Sequence, residues 1–436
     1  MKNIGIIGGG IMGLTAAYRL SELGHHVVVF EKNADIGGQA GTFDVCGQSL
    51  EKYYHHIFTN DFDIIHLIDE LGLGANLKWL ESNVGLYYQG NIYNWVTALD
   101  LLRFSGLSIV NRLRLGLNTL WLQRHSNWHD LENLTARDWI IKHAGERNYE
   151  VIWEPLLRGK FGERAGEIGM VWFWGKIYLR LGSRGKGMGK ERLGYLMGSY
   201  GQVIDTLARK VQEAGGKIST STSAKKIMVK VNRVKGIVVD QGEVFFDAVI
   251  ATIPSFSFLP LVDELPESYK EKLQMTAYQA TACLVLTLKQ SLSPFYWMNI
   301  SDTSMPFVAV VEHTNLVNRS NYNNKHIIYV SNYLTQDSLL YHMDARELLD
   351  HYLPYLRKIN PEFNPEWIED YFLWKDEAAQ PVIGTHYSQH IAEYRTPISG
   401  LYLANTTQIY PEDRGMNYSI RLGNKMSQLV VENISE

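Results

Sequence analysis

The chain has 436 residues, of which 45% are hydrophobic and 20% charged, with a formal charge of −4 at neutral pH. That length exceeds one ordinary core and points to two or three globular domains, and the slight acidity excludes the broad basic surface that nucleic acid requires. Two cysteines, Cys46 and Cys283, lie far apart and outside any CxxC or Cys/His spacing, so neither a disulfide framework nor a metal site is expected.

Residues 4–20, IGIIGGGIMGLTAAYRL, predict a strand that enters a glycine cluster and leaves as a helix. The pattern G-x-G-x-x-G falls on Gly8, Gly10 and Gly13, and HHVVVFEK predicts a second strand ending at Glu31 and Lys32. The glycines allow a tight turn and close approach of the backbone to a pyrophosphate at the helix N-terminus, and Glu31 can accept ribose hydroxyls while disfavouring a 2′-phosphate. NAD and FAD both satisfy these features.

The next segment, KNADIGGQAGTF, adds Gly37, Gly38 and Gly41. Here the sequence resembles the flavoprotein group of amine oxidases, protoporphyrinogen oxidases, phytoene desaturases and UDP-galactopyranose mutases, whose members carry a second glycine pair soon after the acidic residue. The resemblance implies FAD, and no cysteine is placed to attach it, so noncovalent binding is expected. Gln39 stands where the group usually has arginine, which removes a cation near the pyrophosphate but leaves Gly38 its backbone role.

EKYYHHIFTND follows, where relatives pass a histidine-containing segment close to the flavin; His55 and His56 are both candidates to move a proton. Residues 94–124 are rich in Leu, Trp and Phe, but Arg103, Arg112 and Arg114 interrupt every window long enough to span a bilayer. They predict either core helices or an interfacial helix pair making peripheral membrane contact. Three- and four-residue apolar spacing continues the helical pattern through residues 134–162. LRLGSRGKGMGKERLG then places Arg180, Arg184, Lys186, Lys190 and Arg192 on a glycine-rich segment suited to a diphosphate or carboxylate, or to a solvated loop.

From Gly198 a glycine turn, helix and strand, then FDAVIATIP, resemble the segments by which this group returns to its FAD domain. Further on, Trp297 with Tyr296, Trp172, Trp174 and Trp374 can wall a substrate pocket or fill a core. VVEHTN puts Glu312 and His313 directly after an apolar strand, as catalytic candidates or sheet-edge residues. In GLYLANTTQIYPEDRGMNYSIRLGNKM the resemblance implies backbone amides of Gly415, Met416 and Asn417 at the flavin N1–C2 edge, with Asn405 offering a ribityl or pyrophosphate contact.

Together these features predict an α/β protein: a Rossmann-type FAD-binding domain from residues 1–80, 196–254 and 386–436, interleaved with an α+β substrate domain of mixed sheet and helices from 81–195 and 255–385. The expected function is FAD-dependent oxidation, with hydride passing from a substrate C–H bond to flavin N5 and a prenyl-type or sugar-diphosphate compound as substrate. The alternative is a mutase-like, non-redox enzyme acting on a nucleotide sugar. A small-molecule substrate and no nucleic acid partner are expected. The opening MKN runs straight into a strand without a leader, which predicts a cytoplasmic location, membrane-associated if residues 94–124 lie at an interface.

Overall fold

The structure, a computed structural model, describes residues 1–183 and 191–435. Asn3–Ile7 and His26–Phe30 pair in parallel across the Ile11–Glu22 helix, in register from Asn3 opposite His26 to Ile7 opposite Phe30. Three more strands complete a five-stranded parallel sheet in the order Leu401–Leu403, Ala248–Ala251, Asn3–Ile7, His26–Phe30, Lys217–Ser219. Its unbroken apolar runs follow from burial on both faces. Ile4, Ile6, Val27, Val29 and Ile250 point to one side, against Leu14, Leu20, Val203, Leu207, Ile420 and Met426 of three helices. Ile7, Val28, Phe30, Val249 and Ala251 point to the other, against Ile227, Val234 and Ile237 of a three-stranded antiparallel sheet.

A second, seven-stranded sheet runs in the order Ile368–Pro381, Tyr278–Leu288, His326–Leu334, Ala309–Glu312, Trp297–Ile300, Val84–Tyr88, Asn91–Asn94. It is mixed: Trp297–Ile300 pairs parallel with Val84–Tyr88, and the remaining pairings are antiparallel. Strand periodicity divides its long central strand between two cores. Ala282, Leu284 and Leu286 pack against Leu348, Leu349, Tyr352 and Leu356 of the Ala345–Ile359 helix, whose start is fixed by a capping box of Asp344 and Glu347. Cys283 and Val285 face the opposite way and join the core that covers the parallel sheet. The two sheets are therefore locked through shared packing.

The α/β class expected from the sequence is present, as a parallel sheet, a mixed sheet and surrounding helices. Residues 94–124 meet the core-helix reading only in part, with Phe104, Leu107, Leu115 and Leu122 in buried clusters. They form helices Ala98–Arg103 and Ile109–Arg124, which bury Leu115 and Leu122 but leave Ile109, Val110, Leu113, Leu117, Leu120 and Trp121 exposed. No helix of the described residues is long and apolar enough to cross a membrane.

Candidate functional site

Two cavities flank the start of the Met416–Ser435 helix. The first is a groove of about 510 Å³ running over the glycine turn, lined by Gly8, Gly10, Glu31, Lys32, Gly38, Gln39, Asn405, Gly415 and Met416. Gly8 has φ +109°, open to glycine and strained for other residues, and a Cβ on Gly13 would stand 2.1 Å from the Gly8 carbonyl oxygen. A Cβ on Gly10 would meet nothing nearer than the Gly37 carbonyl oxygen at 4.0 Å, so its space opens on the groove. No side chain caps the Ile11–Glu22 helix, whose first-turn amides are left to whatever occupies the groove. These features fit a pyrophosphate.

Glu31 is buried and already takes three hydrogen bonds: Gly9 N at 2.8 Å on Oε2, and the Asn33 backbone and side-chain nitrogens at 2.9 Å on Oε1. A carboxylate has about four acceptor positions, so one remains for a ribose hydroxyl. Lys32 lines the same groove. Gln39 donates to the Ala378 carbonyl at 3.0 Å, tying the second glycine turn to the edge strand of the mixed sheet.

Asn405 departs from expectation. Its Oδ1 accepts from Thr407 N and Oγ1, and its Nδ2 donates to the Ile253 carbonyl and Ser255 Oγ, which uses all four of its hydrogen-bonding positions inside the loop. Its side chain has nothing left for a ribityl or pyrophosphate group and instead clamps residues 253–255 against the groove.

The second cavity, about 420 Å³, is walled by Trp153, Leu156, Leu157, Trp172, Phe173, Tyr296 and Trp297. Trp297 stacks edge-on to Tyr54 at 4.9 Å and donates its indole proton to Asn299. Groove and cavity share His55, Arg414, Gly415 and Met416, so the two spaces meet there. Asn417 lines the cavity just beyond, its Oδ1 accepting from Ile64 N and its buried Nδ2 without a partner among the described residues.

The histidine ambiguity resolves in position: His55 touches both spaces and His56 only the cavity. His55 Nδ1 lies 2.6 Å from the Tyr53 carbonyl and must donate to it, leaving Nε2 as an acceptor. His56 Nδ1 is paired with the Tyr296 hydroxyl at 2.9 Å. Burial pushes both rings down to about 4, so neither is cationic at neutral pH, contrary to the near-neutral titration that histidine suggests from sequence.

Glu312 and His313 border neither space. Glu312 is fully buried and accepts from Ser291 Oγ and Ser293 N; His313 is paired with the Tyr322 hydroxyl at 2.9 Å, and burial pushes it down to about 3. They fasten the end of the central Ala309–Glu312 strand to neighbouring loops, so the structure supports neither the catalytic nor the sheet-edge reading of VVEHTN. Arg180 lines the cavity, yet its guanidinium is bound in bidentate fashion to Glu191 at 2.8 Å. Arg184 lies outside the described residues, with Lys186 and Lys190.

Sequence reasoning passed over a charged cluster where the two spaces join. Asp413 pairs with Lys176 and, at 3.5 Å, with Lys160, and accepts from the Trp172 indole at 2.9 Å and Gln380 Nε2 at 3.0 Å. Arg414 donates to the Tyr333 hydroxyl at 2.8 Å and to Gln380 Oε1. Burial alone would raise the Asp413 carboxyl, but Lys160, Lys176 and Arg414 hold it well below the usual range. Desolvation by the surrounding protein lowers Lys176 to about 8 against the pull of Asp413. The available signal was a lysine inside an apolar helical run, VWFWGKIYL, where a solvated charge would not be placed.

The family pattern of flavin-containing amine oxidoreductases matches residues 11–413. A probable flavin-containing monoamine oxidase A of Dictyostelium discoideum is 26% identical over 233 residues, 49% of this chain and 49% of that protein. Mitochondrial protoporphyrinogen oxidase of Nicotiana tabacum is 24% identical over 173 residues, 39% of this chain and 34% of its own length. The chain thus spans half or less of the length of these relatives. Reduced UDP-galactopyranose mutase shares the fold, with a TM-score of 0.76 at 15% identity over 100% of this chain and 95% of that one.

Proposed function

The chain belongs to the flavin-containing amine oxidoreductase family, and we propose that it is a flavin-dependent oxidoreductase, that its flavin is FAD, held noncovalently in the groove, and that it oxidises a C–H bond of a small molecule bound in the cavity. The observation that carries this reading is the meeting of groove and cavity at His55, Arg414, Gly415 and Met416. Bound FAD would supply the hydride acceptor at N5. Gly8 and Gly10 would admit the pyrophosphate, with Gly13 letting the helix pack close against the turn, the free acceptor position of Glu31 would take a ribose hydroxyl, and the amides at Gly415 and Met416 would be available to the ring edge where negative charge develops. His55, neutral and presenting Nε2, orients substrate by accepting a hydrogen bond. The aromatic wall excludes water and fixes the substrate's position. Within this reading, residues 1–80, 196–254 and 386–436 serve the cofactor and the intervening segments the substrate.

The test is anaerobic bleaching of the flavin by a panel of amines, tetrapyrroles, polyprenyl compounds and nucleotide sugars. Reduction by one class supports oxidation of that class; a spectrum unchanged by all of them overturns the reading. A second reading, a mutase acting on a nucleotide sugar, draws support from the cation-rich junction. It requires turnover that depends on added reductant without consuming it stoichiometrically.

We also propose that the Ile109–Arg124 helix rests on an anionic bilayer. Its exposed Ile109, Val110, Leu113, Leu117, Leu120 and Trp121 recur at three- and four-residue intervals on one face. Between Asp100 and Asp130 the sequence holds four arginines and no acid, the charge that headgroups of phosphatidylglycerol complement. Co-sedimentation with vesicles of phosphatidylglycerol and phosphatidylcholine is expected, with loss on Leu113→Glu/Leu117→Glu; wild-type protein left in the supernatant refutes it.

A further inference from the structure

We propose that the cavity selects a substrate bearing a carboxylate or phosphate, seated against Lys160, Lys176 and Arg414 at the junction with the groove. This rests on the reading of the cavity as the substrate site. Three cations converge there, and the nearest carboxylate cannot balance them. Asp413 already spends both oxygens, Oδ2 on the two lysines and Oδ1 on the Trp172 indole and the Gln380 amide. Asp376, on the groove side of Arg414, accepts from Ala378 N, and burial pushes its carboxyl toward the neutral form. Cations gathered in a partly desolvated space repel one another unless an anion joins them. The lysines are positioned to receive one: the Lys176 side chain is 42% exposed and lines the cavity.

The same inventory disfavours a protonated amine. Of the other acids lining the cavity, Glu191 is held by Arg180 in a bidentate pair, and Asp61, raised by burial to about 6 and accepting the Phe58 amide on Oδ2, forms no ion pair with the three described cations at the junction. An ammonium at the junction would meet three like charges and, in Asp413, a carboxylate with no open position. The remaining wall is aromatic and aliphatic, so the ligand that satisfies the whole space carries an anionic group beside the flavin and an apolar body away from it.

The experiment titrates the purified 436-residue chain, with and without added FAD, with benzoate, phenyl phosphate, benzylamine and benzyl alcohol, and follows quenching of tryptophan fluorescence, since Trp153, Trp172 and Trp297 line the cavity. At least one anion is expected to saturate at a concentration tenfold or more below the amine and the alcohol, and the two anions distinguish carboxylate from phosphate. Lys160→Met/Lys176→Met is expected to weaken that anion at least tenfold. Asp413→Asn, which removes the competing carboxylate, is expected to tighten it, a direction that misfolding cannot produce. Equal binding of amine and anion, no saturation by either anion, or unchanged affinity in the double variant overturns the inference; the last outcome with a shifted flavin potential assigns the cations to the cofactor alone. Anion binding without FAD uptake would leave this inference standing and remove the flavin assignment.

Discussion

Replacing Gly10 by alanine separates a cofactor role from a structural one. Gly10 has φ −74° and ψ 173°, values alanine adopts freely, and the added methyl meets no protein atom nearer than 4.0 Å. The flavin-free variant is therefore expected to unfold within about 0.5 kcal/mol of wild type, or slightly above it, because alanine lowers the entropy of the unfolded chain. The methyl does enter the groove at the turn where the pyrophosphate must approach the first amides of the helix. Displacing the phosphate from one or two charge-assisted hydrogen bonds of about 1.5–3 kcal/mol each weakens FAD by roughly tenfold or more, at about 1.4 kcal/mol per tenfold. Titration of FAD fluorescence against both proteins, beside thermal unfolding of the flavin-free forms, gives the two numbers. Gly13→Ala is the contrasting variant: its Cβ would lie 2.1 Å from the Gly8 carbonyl oxygen and 2.8 Å from Thr252 Oγ1, so it destabilises the protein without ligand. Wild-type FAD affinity in Gly10→Ala would refute the placement of the pyrophosphate.

Further expectations come from the buried groups. His313, pushed from 6.5 down to about 3, stays neutral in the fold while the unfolded chain takes up a proton below 6.5. Its contribution to stability is thus complete above pH 6.5 and lost as pH falls toward 3, about 2 kcal/mol by pH 5 at about 1.4 kcal/mol per pH unit. His313→Gln keeps a partner for Tyr322 and should flatten the acid limb of thermal stability; an unchanged limb counts against the burial argument. Lys176, lowered to about 8 by desolvation and by Lys160 and pulled back by Asp413 and Tyr333, should hold benzoate with constant affinity up to about pH 8 and progressively less above. Lys176→Arg, which stays charged, should abolish that decline, and an identical profile in the variant would contradict it. Asn405→Ala strips four hydrogen bonds from one loop and should cost about 2–4 kcal/mol in the flavin-free protein, measured by chemical unfolding; a silent substitution would show that the clamp is not needed.

The cofactor side of the fold was legible because its constraints are local. A strand, a tight turn and a helix start each demand particular residues at fixed spacing, so Gly8, Gly10, Gly13 and Glu31 announce their positions within one short segment. Asn405 and Gln39 lie in equally informative segments, yet what their side chains bond to depends on Ser255 and Ala378, far away in sequence, and no local pattern reports that. Glu312 and His313 looked catalytic because an acid and a base followed a strand; both are buried, and their partners Ser293 and Tyr322 come from segments outside the sheet. Chemical type alone could not distinguish a buried polar clasp from an exposed catalytic pair.

The charged junction was hidden for the same reason, and its geometry ties the proposals together. Lys160, Lys176 and Asp413 come from three separate elements and acquire meaning only when the Met170–Gly182 helix brings Lys176 and Trp172 to the same carboxylate. The same helix packs on the Ile109–Arg124 helix, whose outer face is apolar. One wall of the cavity is thus one helix removed from the proposed bilayer contact. An amphiphile with an anionic group matches both surfaces at once, and a hydrophilic amine matches neither. If vesicle binding and anion selectivity are physically linked, Leu113→Glu/Leu117→Glu should leave the affinity for soluble benzoate intact while weakening a long-chain carboxylate presented in vesicles. Equal losses for both ligands would mean that the helix substitution disturbs the cavity itself, and the membrane face would then carry no separate role in delivering substrate.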